Sequence, residues 1–209
     1  MEKRAVQVDS TWYGRDYLSL QRILTHWHQA NEIAEVTRPG ARILEVGPGA
    51  GHTTWLLRSW GLEVTTLDFD ESVRPDITAD VTSIPVDSKS YDCVLAAEVL
   101  EHLPFEEFGT ALTEMKRVSS GHVIITLPAP FVGLSALLNL PAIRPIKFSL
   151  GFPYCKPHKF DGQHYWDLGK WGFGRRRVRR AIRDCGLRIV KEFRPVPSLY
   201  CYFFVLSVA

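Results

Sequence analysis

The stretch with the clearest chemical meaning is a strand-like run that ends in closely spaced glycines: Ile43-Leu44-Glu45-Val46-Gly47-Pro48-Gly49-Ala50-Gly51-His52. Such a turn lets a ligand lie against the backbone, because no Cβ stands in its way. A dinucleotide pyrophosphate held at a helix start asks for Gly-x-Gly-x-x-Gly, whose last glycine admits close helix–strand packing. Here His52 takes that place and Gly51 comes early. With Glu45 ahead of it, the turn suits a ligand with an amino-acid end better than a pyrophosphate. A nicotinamide oxidoreductase is therefore the weaker reading, and a tight turn without a ligand is the plain alternative.

Asp68 follows a second apolar run, Val64-Thr65-Thr66-Leu67. In a parallel sheet that strand end lies beside the glycine turn, at the crevice where ligands bind. A carboxylate there accepts hydrogen bonds from a ribose diol, in a nucleoside sulfonium or a dinucleotide alike; its other use is as a cap or turn acid. Candidate bases for a reaction nearby are His102, His158, His164 and Tyr165. His158, Asp161 and His164 are evenly spaced, which raises the question of a metal. Their segment has no helical pattern and offers no clear further ligand, so no metal is expected.

The elements that must position these groups alternate. Ala41–Val46, Leu62–Leu67, Tyr91–Ala97 and Gly121–Leu127 read as buried strands rich in Val, Ile and Leu. Helix-like segments lie between them, at Gly51–Trp60, Glu98–Leu103 and Phe105–Val118. That order predicts a parallel sheet with helices on both faces. Ahead of it, Tyr17–Thr37 places Leu20, Ile23, Leu24, Trp27, Ile33 and Ala34 at helical spacing, ended by Arg38-Pro39-Gly40. Pro128–Gly172 reads as a long irregular connection rich in Pro, Gly, aromatic residues and histidine, and connections of that length are more often functional than accidental. Helix Phe173–Cys185 sets Val178, Ala181, Ile182 and Cys185 on one stripe and arginines on the rest. Leu187–Phe193 and Tyr200–Val208 close the sheet as an antiparallel hairpin.

Bulk properties fit a single domain. The chain has 209 residues, 45% of them hydrophobic, and a net charge of +2, which argues against a protein that coats nucleic acid. Cys93, Cys185 and Cys201 sit in apolar settings and no cysteines are paired at metal or redox spacing, so buried free thiols are expected. Polar residues follow Met1-Glu2-Lys3-Arg4 and no secretory signal is visible. The apolar stretch from Val118 to Ile143 is broken by Pro128, Pro130 and Pro141, which rejects a spanning helix and leaves weak contact with a membrane surface open. A cytoplasmic protein is expected.

Glu45 to His52, Asp68, Ala79-Asp80-Val81 with Ile84-Pro85, and Tyr91 through Leu103 together resemble the class I S-adenosylmethionine-dependent methyltransferases, in particular those acting on small molecules. The resemblance covers about residues 41–127 well and the last strands loosely. It implies an α/β fold, a Rossmann-like three-layer sandwich whose seven-stranded, mostly parallel sheet has its last strand antiparallel. It implies S-adenosyl-L-methionine as cofactor. Glu45 and Gly47 would frame its methionine end, which Ala97 would also contact, while Gly49 and Gly51 would let the backbone approach. Asp68 would hold the ribose, Phe69 would lie against the adenine, and Asp80 with the Val81 backbone would read the adenine amino edge. The expected organisation is a helical lid over residues 1–40, a cofactor-binding half over 41–127, an acceptor-side insertion over 128–172, and a closing helix and hairpin over 173–209.

His102, His164 and Tyr165 are the expected catalytic residues, and the acceptor is expected to be a small molecule, anionic or lipid-like. The arginines of the last helix keep an RNA or DNA acceptor as an alternative. A non-catalytic S-adenosylmethionine-binding module is the other. Oligomeric state is not legible.

Overall fold

The computed structural model describes residues 17–138, 146–153, 156–160, 162–196, 198 and 200–208. Residues 1–16 of the expected 1–40 lid, together with Cys155 and Asp161, lie outside these residues. Helix α1 spans Leu20–Val36, β1 Arg42–Val46, α2 His52–Ser59, β2 Glu63–Asp68, β3 Ile77–Thr78 and β4 Tyr91–Ala97. They are followed by α3 at Phe105–Val118, β5 at Ser119–Pro128, β6 at Phe131–Leu138, β7 at Ile146–Pro153, α4 at Arg175–Asp184, β8 at Leu187–Phe193 and β9 at Cys201–Val208.

Seven strands form one sheet in the order β3-β2-β1-β4-β5-β9-β8. The first five run parallel, while β9 is antiparallel to both β5 and β8. This is the expected sandwich. The middle of the sheet is apolar on both faces because both faces are covered. One core packs Ala30 and Ile33 of α1 and Leu57 of α2 against Ile43, Cys93 and Leu95. The opposite core packs Phe108, Leu112 and Met115 of α3 and Val178 and Ile182 of α4 against Leu44, Val94 and Val123. The parallel strands all end at one edge, and their C-terminal loops gather there.

Three expectations change. The two-residue β3 carries no pattern long enough to read in the sequence; it pairs Leu67 with Ile77 and Asp68 with Thr78. Helix α1 is rotated from its expected face: Leu20 is 71% exposed and Trp27 44%, while Thr25, His28, Gln29 and Glu32 are buried. Polar partners explain the rotation. Thr25 shares a hydrogen bond with Ser198 at 3.0 Å, Thr53 donates to Gln29 at 2.8 Å, and Lys191 Nζ reaches both oxygens of Glu32 at 2.7 Å.

The third change concerns Pro128–Gly172, which is not irregular throughout. β6 and β7 form an antiparallel ribbon, Phe131 pairing with Pro153 and Leu138 with Ile146. The later part is pinned to the body by Trp166, which is fully buried among Phe105, Phe108 and Phe173 and donates to the Leu103 carbonyl at 3.1 Å. No helix among the described residues is long and apolar enough to cross a membrane.

Candidate active site

The C-terminal end of β1 turns through Gly47, Gly49 and Gly51, all at positive φ, into α2, with Gly51 as the helix N-cap. Gly47 has a further reason to be glycine. A Cβ there would stand 2.4 Å from Val99 Cγ2, so the turn and the loop after β4 fit together only without it. Its amide donates to Leu67 O at 2.8 Å, which ties the turn to the end of β2.

Over this turn opens a cavity of about 300 Å³, within the usual size of small-molecule sites. Glu45, Gly47, Gly49 and Ala97 line it, as do Glu98 beside Ala97 and Tyr200 and Cys201 at the start of β9. Its remaining wall is the polar face of α1. Arg22, His26 and Gln29 stand on that face at helical spacing; sequence reading followed the apolar residues of the same helix and missed them. The signal was present in the polar positions of the same period.

Burial sets the electrostatics. Glu45 is 3% exposed, and removal from water pushes its carboxyl up to about 7, the Thr54 hydroxyl that it accepts from and the Arg58 charge offsetting only part of the rise. Burial likewise pushes the His26 imidazole down to about 4, helped by the charge of His52. His26 Nδ1 lies 2.9 Å from Thr53 Oγ1, while Nε2 is buried with no hydrogen-bond partner among the described residues. A buried polar atom without a partner in a cavity wall is what a polar ligand would satisfy.

Glu98 combines two irregularities. Its φ is +57°, strained for a residue with a side chain. Its half-buried carboxyl is raised by desolvation, which hydrogen bonds to Cys201 and Thr126 and the charge of His164 partly counter. A strained acid with a raised carboxyl in a cavity wall is a functional candidate. Sequence reading passed over Glu98, since a backbone outlier leaves no mark in residue type.

Asp68 closes β2 and accepts from the Asp70 amide at 2.9 Å; burial raises its carboxyl, against the hydrogen bonds from Asp70 and Phe69. Phe69 follows it, half-buried. The Asp68 carbonyl accepts from Ala79 N at 2.9 Å, which brings Asp80 to the same end of the sheet. Asp80 accepts from the Thr82 amide and hydroxyl at 2.8 and 2.6 Å, so it also shapes its own turn. The Val81 side chain is in the core, which leaves its backbone for any contact. These residues lie along the sheet edge from the turn, outside the cavity lining.

The residues expected near the acceptor, His102, His164 and Tyr165, come together beyond Glu98. The short helical turn Leu100–His102 is stitched to the later segment at two points: Tyr165 N donates to Glu101 O at 2.8 Å, and His102 Nδ1 lies 3.0 Å from Gln163 O. The rings of His102 and His164 meet edge to face at 5.0 Å. His164 Nδ1 lies 2.8 Å from Asp167 Oδ1, and Asp167 also binds Lys170. Burial would raise the Asp167 carboxyl, but His164 and Lys170 outweigh it and hold it below the usual value. Tyr165 is brought near only through its backbone; its ring is 39% exposed and packs on Phe160. His158 Nε2 lies 2.8 Å from His164 O.

The fold is shared with known proteins. Residues 44–125 match the family described as methyltransferase domain. Among solved structures, the chain is similar to an S-adenosylmethionine-dependent methyltransferase from Aquifex aeolicus, at 15% identity and a TM-score of 0.63, covering 97% of this chain and 100% of that one. It is similar to the 1,6-didemethyltoxoflavin N1-methyltransferase of Burkholderia thailandensis, at 16% identity and 0.62, over 94% and 84%. It is also similar to the magnesium protoporphyrin IX methyltransferase of Synechocystis, at 15% identity and 0.62, over 94% and 91%. A search of curated proteins finds no matching relative. The chain thus has the fold of these methyltransferases, with the same kind of sheet and glycine turn, and its residues 44–125 match the methyltransferase-domain family.

Proposed function

We propose that this protein transfers the methyl group of S-adenosyl-L-methionine to a small-molecule acceptor held between the end of β4 and the Gln163–Tyr165 segment. The observation that carries this reading is the continuity of polar groups, from Glu45 and His26 in the cavity through Glu98 to the paired rings of His102 and His164. Glu45 and the buried His26 Nε2 fit the amino-acid end of the donor, and Asp68 and Asp80 at the sheet edge fit its ribose and adenine. Gly49 and Gly51 admit the backbone contact. The bound donor supplies a methyl carbon already activated by its sulfonium.

What remains for the protein is alignment, which is worth about 7–11 kcal/mol when two reactants are well oriented. Helix α1 closes one side of the cavity and excludes water there. His102 and His164 face the acceptor, and Asp167 fixes the His164 ring through Nδ1. The Tyr165 hydroxyl is not part of this assignment, since its ring packs outward on Phe160.

The Burkholderia and Synechocystis proteins are both named for small-molecule acceptors, which supports the same class here. An acceptor with an apolar part is favoured by the ribbon, where Leu134 is 69% exposed, Leu150 65% and Phe152 78%. A nucleic-acid acceptor is disfavoured because the arginines of α4 are partly engaged within the protein. Arg177 stacks over Phe105 at 4.1 Å and Arg179 pairs with Glu192. The test is to incubate the protein with methyl-labelled S-adenosylmethionine and a metabolite extract, and to follow the label by mass spectrometry. Label in a small molecule is expected; label only in RNA or DNA contradicts the reading.

A further inference from the structure

We infer that Glu101, His102 and His164 form a site for one divalent transition-metal ion, zinc being the natural occupant, beside the donor cavity. Each offers a ligand atom, and the three atoms lie within 4.8 Å of one another. Tetrahedral donors at about 2.0–2.1 Å from zinc stand about 3.4 Å apart, so a shift of about 1.5 Å for the widest pair closes the set.

The Glu101 carboxyl is the independent sign of a ligand. Its side chain is fully buried, and both oxygens lack a hydrogen-bond partner among the described residues. An unsatisfied buried carboxyl costs several kcal/mol in principle and is rare in native structures. It is not explained by packing, since an apolar side chain of similar size would fill the space without that cost. A cation bound to it and to both imidazoles removes the cost.

The surroundings have the form that metal-ligating histidines show. His164 Nδ1 is held by the Asp167 carboxylate at 2.8 Å and His102 Nδ1 by the Gln163 carbonyl at 3.0 Å. Such partners place the proton on Nδ1, leave the lone pair on Nε2 and fix the ring's direction. Asp167 is itself 3% exposed and braced by Lys170. Two imidazoles and a carboxylate select zinc, iron, cobalt or nickel over magnesium or calcium. Sequence reading weighed His158, Asp161 and His164 along the chain; the fold joins His164 to a different pair.

Three protein ligands leave a coordination position for a further oxygen. Glu98, three positions before Glu101, lines the donor cavity, so the site adjoins it. The open position would take an oxygen of the acceptor, a hydroxyl or a carboxylate. Assigning that position to the acceptor rests on the methyl-transfer reading; binding of the cation does not.

The test uses full-length protein stripped with a chelator and titrated calorimetrically with Zn²⁺, with Co²⁺ absorption as a spectroscopic check. One equivalent of Zn²⁺ should bind, and Co²⁺ should give the visible bands of a low-symmetry nitrogen–oxygen site. Glu101→Gln, which keeps the side-chain shape, and His164→Ala should each weaken Zn²⁺ binding by about tenfold or more. Binding of S-adenosylhomocysteine should survive in both variants, which shows that they are folded. No stoichiometric uptake by the wild type, or uptake unchanged in both variants, overturns the site. Zn²⁺ bound as expected without any S-adenosylhomocysteine binding to the wild type would sink the methyl-transfer reading and leave the metal site standing.

Discussion

Glu45 ends an apolar strand with its carboxyl withdrawn from water, and its pKa rises from 4.5 to about 7. The folded protein thus holds this proton more tightly than the unfolded chain does. Stability contributed by the protonated form is present below the unfolded pKa and is lost as pH rises toward 7. The shift corresponds to a loss of the order of 3 kcal/mol across that window. Glu45→Gln should remove that component, so denaturant unfolding at pH 5 and pH 8 should differ less in the variant than in the wild type. Equal pH dependence in both would contradict the buried, raised carboxyl. At Asp68, replacement by alanine should weaken S-adenosylhomocysteine binding by about 1.5–3 kcal/mol, typical of a hydrogen bond to a charged group, as read by calorimetry. Unchanged affinity in a folded variant removes Asp68 from the ribose role. Residue type and spacing pointed to Glu45 and Asp68 because each stands at the end of a legible strand, whereas Asp80 came only from the family resemblance, since β3 is too short to read. They could not point to Glu98 or His26, whose significance lies in a strained φ and an orphaned nitrogen.

Among the elements, the turn between β1 and α2 depends on what faces it across the sheet edge. Gly47→Ala should destabilise the protein by about 1–3 kcal/mol, through the positive φ and the contact with Val99. Adding Val99→Ala should recover part of that loss in thermal or denaturant unfolding, whereas strictly additive losses would show that the contact is not the cause. Trp166 is the pin of the acceptor-side segment. Trp166→Ala should cost about 3–5 kcal/mol and loosen the stitch between Gln163–Tyr165 and Glu101–His102, visible as faster amide exchange at Tyr165. Protection that stays at the wild-type level would sink the pinning role. Most elements were legible because apolar runs and helical spacing are strong signals, as at Tyr91–Ala97 and Phe105–Val118. Helix α1 was placed in the chain but not about its axis. Besides Ala30 and Ile33 it buries polar residues, and Thr25 and Glu32 find their partners on distant segments, at Ser198 and Lys191. The ribbon of β6 and β7 was hidden by its prolines and by a lack of alternation.

Across the whole molecule, the sequence carried the sheet and its antiparallel last strand through strand–helix alternation and the closing hairpin. The groups expected to bind the donor were proposed from local sequence, at the turn after β1 and the end of β2, while the α1 residues and Glu98 that line the same cavity were not. The acceptor half was only partly legible, because Glu101, His102 and His164 meet through folding over some sixty positions. The central claim is that the cavity over Glu45–Gly51 holds S-adenosylmethionine and no dinucleotide. Titration calorimetry of the wild-type protein with S-adenosylhomocysteine and, separately, with NAD tests it most directly. Saturable binding of S-adenosylhomocysteine at one site and none of NAD is predicted; binding of NAD alone would contradict it.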